Sequence, residues 1–352
     1  MTRAAAALLV TAALAALLLG SGCDTLGYYA QSVGGHLDLV RRARPVPDWL
    51  ADGATPDSLR ARLQLTQKIR DFAVSELKLP DNHSYRSYSE LDRSAAVWNV
   101  VATPELSLTL QTWCYAVMGC VGYRGYFDQR QAQALGEQLR AKGLEVSVYG
   151  VPAYSTLGWT DWLGGDPLLN TFVGWPEGQL ARLIFHELAH QVAYASDDTM
   201  FNESYATAVE SLGSRRWLAA TGRAGDDEAA AARLRQFKAL TLRTRQALEA
   251  LYRSDLPDAE KRRQKAERMA AMRAEHAALK AGPWAGFAGY DGWIERANNA
   301  ALALQAAYDG LVPEFERLFA RQGQDFARFH AEVKRLAALP KDQRRATLQA
   351  QP

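Results

Sequence analysis

Residues 178–210, GQLARLIFHELAHQVAYASDDTMFNESYATAVE, constrain this chain more than any other stretch. Within them His186, Glu187, Leu188, Ala189 and His190 spell H-E-x-x-H. Four residues of α-helix turn through about 400°, so the two imidazoles fall on one face, one turn apart. Leu183, Ile184, Phe185, Leu188, Ala189, Val192 and Ala193 make the segment apolar almost all round, and such a helix is buried. Two imidazoles and a carboxylate inside a core need a partner, and a metal ion supplies one. The spacing lets His186 and His190 bind a single Zn²⁺, with Glu187 beside it to take a proton from water. A linker containing Ser196, Asp197, Asp198 and Thr199 follows. Asn202, Glu203, Ser204, Tyr205 and Ala206 then open a second helix. Glu203 is the candidate third ligand. Glu210, seven residues on and two turns along the same face, is the candidate to orient a ligand imidazole, with Asp197 and Asp198 as alternatives. Pairing of Glu210 with Arg215 or Arg216 is the other reading.

HELAH followed by FNESYATAVE resembles the gluzincins, zinc peptidases whose ligands are two His and one Glu. More narrowly it resembles the aminopeptidase family of bacterial lipoproteins. The resemblance extends through GYYAQSVGGHLDLVRRARPV, WNVVATPE, WCYAVMGCVGYRGYF and GVPAYSTLGW to NNAALALQAAYDGLVPEFE. It implies an α+β fold: a zincin-like catalytic region, with a small mixed sheet, the H-E-x-x-H helix and a Glu-ligand helix. It also implies one Zn²⁺ per chain on His186, His190 and Glu203, Glu187 as general base, and a peptide substrate. Gluzincins often stabilise the oxyanion with a downstream Tyr or His; Tyr308 is the choice here, with Tyr205 and Tyr194 as rivals. In zincins an edge strand before the metal helix pairs with substrate, and residues 153–157 are the candidate. Aminopeptidase action rests on the resemblance, because no G-x-M-E-N-type amine anchor is recognisable; a zinc endopeptidase is the alternative. A binding or scaffolding lipoprotein is a third reading, against which Glu187 argues, since a structural metal site needs no base.

The first 22 residues read as an export signal: Met1, Thr2 and Arg3, then a charge-free Ala/Leu run over residues 4–19. That run is too short for a confident membrane span. Leu19, Gly20, Ser21, Gly22 and Cys23 resemble a lipobox, which makes Cys23 the lipidated N-terminus of a protein in the bacterial envelope, facing the periplasm. The departure is Gly20, where the pattern carries Leu; ordinary cleavage leaving a free cysteine is the alternative. Asp24 resembles an inner-membrane retention signal. Residues 1–22 hold one Arg and no acid, so the remainder carries a net charge of +1. That balance offers no case for nucleic acid, which would want a concentrated basic face.

The 352 residues, 48% of them hydrophobic, can bury a large core. Residues 23–56, with Pro45, Pro47 and Pro56, read as a polar tether, with Tyr28 and Tyr29 docking on the body and the membrane interface as the alternative. Residues 57–222 read as the catalytic region. Leu59, Leu63, Ile69, Phe72, Ala73 and Leu77 form a helical stripe ended by Pro80. Residues 95–102, 106–112 and 144–149 read as strands, and 131–142 as a helix capped by Gly143. Cys114 and Cys120 are expected to form a disulfide in an oxidising compartment, contributing roughly 2 kcal/mol; two buried thiols are the alternative. Asp161, Asp166 and Glu177 are candidates to capture a substrate ammonium group, and serve equally well as turn residues. Residues 223–352 read as a helical region packed on the catalytic body. Its seam Leu234, Phe237, Thr241, Thr244, Leu248 and Leu251 precedes a break at residues 254–257 and a second charged helix, together a helical hairpin. Lys261, Arg262, Arg263 and Lys265 read as a solvated face, with anionic lipid as the alternative. Trp284, Phe287, Tyr290 and Trp293 read as core, with a substrate wall as the alternative. His36, His83, His276 and His330 have no ligand-like spacing. The sequence leaves oligomeric state undefined.

Overall fold

A computed structural model describes residues 27–115, 119–153, 155–156, 161, 164–223 and 228–350. Cys23 and the signal segment lie outside the described residues. The segment read as a tether holds secondary structure from residue 27: helix α1 (27–42), strand β1 (Arg44–Pro45) and helix α2 (Val46–Ala51). Tyr28 docks as expected, stacked on Tyr115 and edge-on to Tyr126, whereas Tyr29 is 41% exposed. Pro56 ends the segment and starts α3 (Asp57–Ser75), whose buried residues Leu63, Ile69 and Ala73 follow the expected stripe.

Three small sheets come next. β2 (Ser87–Ser89) pairs antiparallel with β1 and parallel with β8 (Leu168–Leu169). The largest sheet has β3 (Val97–Pro104) between β6 (Arg124–Tyr126) and β7 (Leu144–Val151), both antiparallel to it. β3 is buried on both faces from Val97 to Thr103 because α4 (Gln129–Ala141) and α10 (Asn299–Asp309) both pack against it. The third is a hairpin of β4 (Trp113–Tyr115) and β5 (Gly119–Val121), in which Cys114 and Cys120 face each other and are disulfide-bonded.

Two strand expectations fail. Residues 106–112 form no strand: a turn follows Pro104, and the segment meets β3 through the Gln111 N–H to Ala102 O bond. Of residues 153–157, the described ones (153, 155 and 156) are not a strand either. Ser155 and Thr156 are drawn to the Asp166 carboxylate, which accepts from both side chains and from the Thr156 amide. The edge strands of the largest sheet are β6 and β7.

The helical layer centres on α5 (Glu177–His190) and α6 (Thr199–Ala220), packed together. α6 buries apolar Phe201, Tyr205, Ala208, Val209 and Trp217 over about half its circumference and polar Asn202, Ser204, Thr207 and Ser214 beside them. A Cβ at Gly213 would lie 2.6 Å from Leu77 and 3.0 Å from Phe185, so glycine permits this close approach. α11 (Val312–Arg321), α12 (Phe326–Ala337) and α13 (Lys341–Gln349) follow α10 and close the core. α7 (Glu228–Arg253) and α8 (Asp258–Ala281) form the hairpin, burying Phe237, Leu240, Leu248, Met269 and Met272 with Trp284. Phe237 stacks on Tyr290 at 4.2 Å, so this cluster is core, apart from Phe287, which is exposed. The basic residues of α8 meet acids: Arg262 pairs with Glu105, Arg263 with Glu260 and Glu267, Lys265 with Glu145. The short α9 (Asp291–Arg296) links hairpin to α10.

Candidate metal centre

Pro176 starts α5 with its fixed φ, and the helix runs to His190. Asp198 caps α6 by accepting from the Phe201 amide. Asn202 clasps the turn between the helices, its amide oxygen accepting from Ala195 N at 2.8 Å and its nitrogen donating to Ala195 O at 2.7 Å. α13 holds the same turn from outside: buried Arg344 pairs with Asp197 and Asp198, and Arg345 with Asp198. Asp197 and Asp198 are thus committed to arginines and do not orient an imidazole.

This clasp brings three donor atoms together. His186 Nε2 lies 3.2 Å from His190 Nε2 and 3.3 Å from Glu203 Oε2, and His190 Nε2 lies 3.6 Å from the same oxygen. Two ligands about 2.05 Å from a tetrahedral zinc stand roughly 3.3–3.4 Å apart, so the triangle has the dimensions of three zinc ligands. Two imidazole nitrogens and a carboxylate are also the donor types zinc takes. Among the described residues His186, His190 and Glu203 are the group able to hold a metal ion. Glu210 reaches the outer nitrogen of His186, Nδ1 to Oε2 at 3.0 Å, with Arg182 3.8 Å from its other oxygen. Nδ1–H donating to Glu210 leaves the Nε2 lone pair facing the triangle.

Burial pushes Glu203 up, but the imidazoles of His190 and His186 outweigh it and hold the carboxyl at about 2. Burial pushes His186 down, and Glu203 and Glu210 more than reverse it, holding the imidazole well above its ordinary value.

Glu187 is partly buried beside the triangle. Its charge, after burial, raises the phenols of Tyr85 and Tyr123 and the carboxyl of Asp166, which reaches about 6. Gly165, at φ +68, lets the loop before Asp166 pass against Ser84, where a Cβ would sit 2.5 Å from the Ser84 nitrogen. Burial first, then the Glu203 charge, lifts the phenols of Tyr123, Tyr149 and Tyr194, Tyr149 to about 12 despite the Asn99 amide at 3.3 Å. Tyr123 also lines a cavity of about 190 Å³ with Leu110, Cys120 and Met200.

The other sequence candidates fall elsewhere. The Tyr205 hydroxyl bonds His330 Nδ1 at 2.8 Å in the core. Tyr308 is in α10, its side chain outside the described residues. Asp161 is paired with exposed His83. Glu177 sits at the start of α5, bonded to Trp217 and Arg223 and about 14 Å of helix from His186. Tyr123, Tyr149 and the Asn202 clasp were missed; the one available signal was the aromatic run around the disulfide.

These elements define an α+β protein whose two central helices converge two imidazoles and a carboxylate. The chain matches, over residues 27–348, the model of the family described as "Putative aminopeptidase", and it belongs to that family. No curated protein and no solved structure matches it.

Proposed function

We propose that the protein is a zinc metallopeptidase of the gluzincin type acting as an aminopeptidase, anchored by a lipid on Cys23 and facing the periplasm. The observation that carries the catalytic reading is the donor triangle of His186, His190 and Glu203 with Glu187 at its side. Family membership supports peptide as the substrate and the amino terminus as the end attacked. His186, His190 and Glu203 would hold the ion, and Glu210 keeps His186 in the ligating tautomer. Bound zinc supplies Lewis-acid chemistry, polarising a carbonyl and lowering the pKa of water toward about 7. Glu187 accepts the proton of the attacking water and returns it to the leaving amine. The Tyr123 phenol, which feels the charges of both Glu203 and Glu187, donates to the developing oxyanion. The lipid anchor is supported by the charge-free run over 4–19 ending in small residues before Cys23.

Metal analysis tests the catalytic reading. The purified chain should carry one zinc, lost in His186→Ala and His190→Ala; stoichiometric zinc in both variants contradicts it. Labelled fatty acid should enter the wild type and not Cys23→Ser. Label retained in that variant would remove the anchor.

A further inference from the structure

The first helix is docked on the body by one side and largely exposed on the other, where Tyr29 still meets the Tyr115 ring edge-on at 6.5 Å. Tyr28 stacks on Tyr115 and lies under the Arg124 guanidinium. Gln31 accepts from the Phe127 amide and donates to Gly125 O, and Leu39 is fully buried. A Cβ at Gly35 would collide with the Phe127 ring, so the helix lies close. The opposite side carries Tyr29, Val33 and Leu37 at 41%, 58% and 39% exposure. Spaced four apart, they step about 40° each around the helix. Ala30, Gly34 and Arg41, all exposed or open, complete the same sector of about 140°. No acid stands in it. Asp38, at its edge, is paired with Arg42, which also reaches Asp92.

Three of the six exposed large apolar side chains among the described residues share this one face. A water-facing helix surface is normally polar, and an exposed apolar stripe marks a contact. The sequence indicates with what. The stripe begins six residues after Cys23 in the sequence, so whatever path the chain takes it lies within roughly 21 Å of that cysteine. The chain upstream is the charge-free run over residues 4–19. A face without acids that ends in Arg41 is also complementary to an anionic lipid surface. No helix among the described residues is long and apolar enough to cross a membrane, so such contact is made lying flat.

We propose that the Tyr29, Val33, Leu37 face of α1 beds into the lipid–water interface, holding the catalytic body at a fixed attitude to the membrane. The inference rests on the anchored reading, and its test separates the two. The full chain carrying Val33→Cys is spin-labelled and reconstituted in phosphatidylethanolamine vesicles containing one-quarter phosphatidylglycerol. Cys114 and Cys120 are bonded to each other and take no label. The oxygen-to-nickel-chelate accessibility ratio should be several-fold higher at residue 33 than at exposed Lys68→Cys. Adding Tyr29→Ser and Leu37→Ser should return it to the aqueous value with melting temperature and zinc content unchanged. A chain that floats with the vesicles but shows the aqueous ratio at residue 33 overturns the inference and leaves the anchor standing. A chain that does not float overturns both. Spin–spin broadening relieved by unlabelled chain makes the face a contact between copies and also overturns it.

Discussion

On the proposed zinc reading Glu210 sets how strongly His186 holds the metal, and its removal has a calculable effect. The His186 Nδ1–H to Glu210 bond, 3.0 Å long, joins side chains only 14% and 20% exposed, so solvent screens it little. A hydrogen bond to a charged group contributes about 1.5–3 kcal/mol, against about 0.5–1.5 for a neutral one. Glu210→Gln keeps an acceptor and loses the charge, which should weaken zinc binding roughly tenfold. Glu210→Leu removes the acceptor altogether, which should cost about a hundredfold. The assay is competition against a chromophoric zinc chelator, with melting of the metal-free protein as the control for folding. The pH dependence adds a second signature. His186 is held well above its ordinary value by Glu203 and Glu210, so zinc displaces its proton, and affinity should fall about tenfold per pH unit below that pKa. Glu210→Leu should begin this fall at lower pH. Zinc affinities within threefold of wild type in both variants would refute the reasoning.

Two further outcomes follow from buried groups. His330 accepts from Tyr205 and donates to Leu77 O, and burial lowers it to about 4. The unfolded chain therefore binds its proton first, so the stability it contributes is present above pH 6.5 and lost as pH falls through 4. Denaturant melts should show the wild-type advantage over His330→Gln shrinking by about 3 kcal/mol from pH 7 to pH 4; a pH-independent gap contradicts this. Tyr123→Phe should keep zinc and lower kcat about 10²–10³-fold, while an equal loss in Tyr308→Phe alone would move the oxyanion role to Tyr308.

The sequence made the donor set legible because helical geometry converts spacing into position: residues 186, 187 and 190 need no tertiary information. Glu203 was within reach of the same logic, since the polar turn after His190 must reverse the chain. Contacts made across the fold were not legible. Glu177 looked like a cleft acid, but the end of α6 brings Trp217 and Arg223 to it. Asp197 and Asp198 looked like partners for a ligand, and Arg344 and Arg345, some 147 residues away, take them. Residues 106–112 have strand-like composition but, among the described residues, join no ladder and meet the body of β3 through the Gln111 N–H to Ala102 O bond. α1 was hidden because its inner side is a mixture of aromatic and amide groups, which gives no amphipathic period.

The central claim is that Glu187 is a base beside the metal and not part of its cage. Glu187→Gln preserves shape, and it leaves His186, His190 and Glu203 in place. The decisive measurement is zinc content and peptide hydrolysis on the same preparation of this variant. The account predicts one zinc per chain, an unchanged melting temperature and hydrolysis of aminoacyl substrates reduced by at least about 10²–10⁴-fold. Zinc lost in step with activity, or full hydrolysis retained, would contradict it.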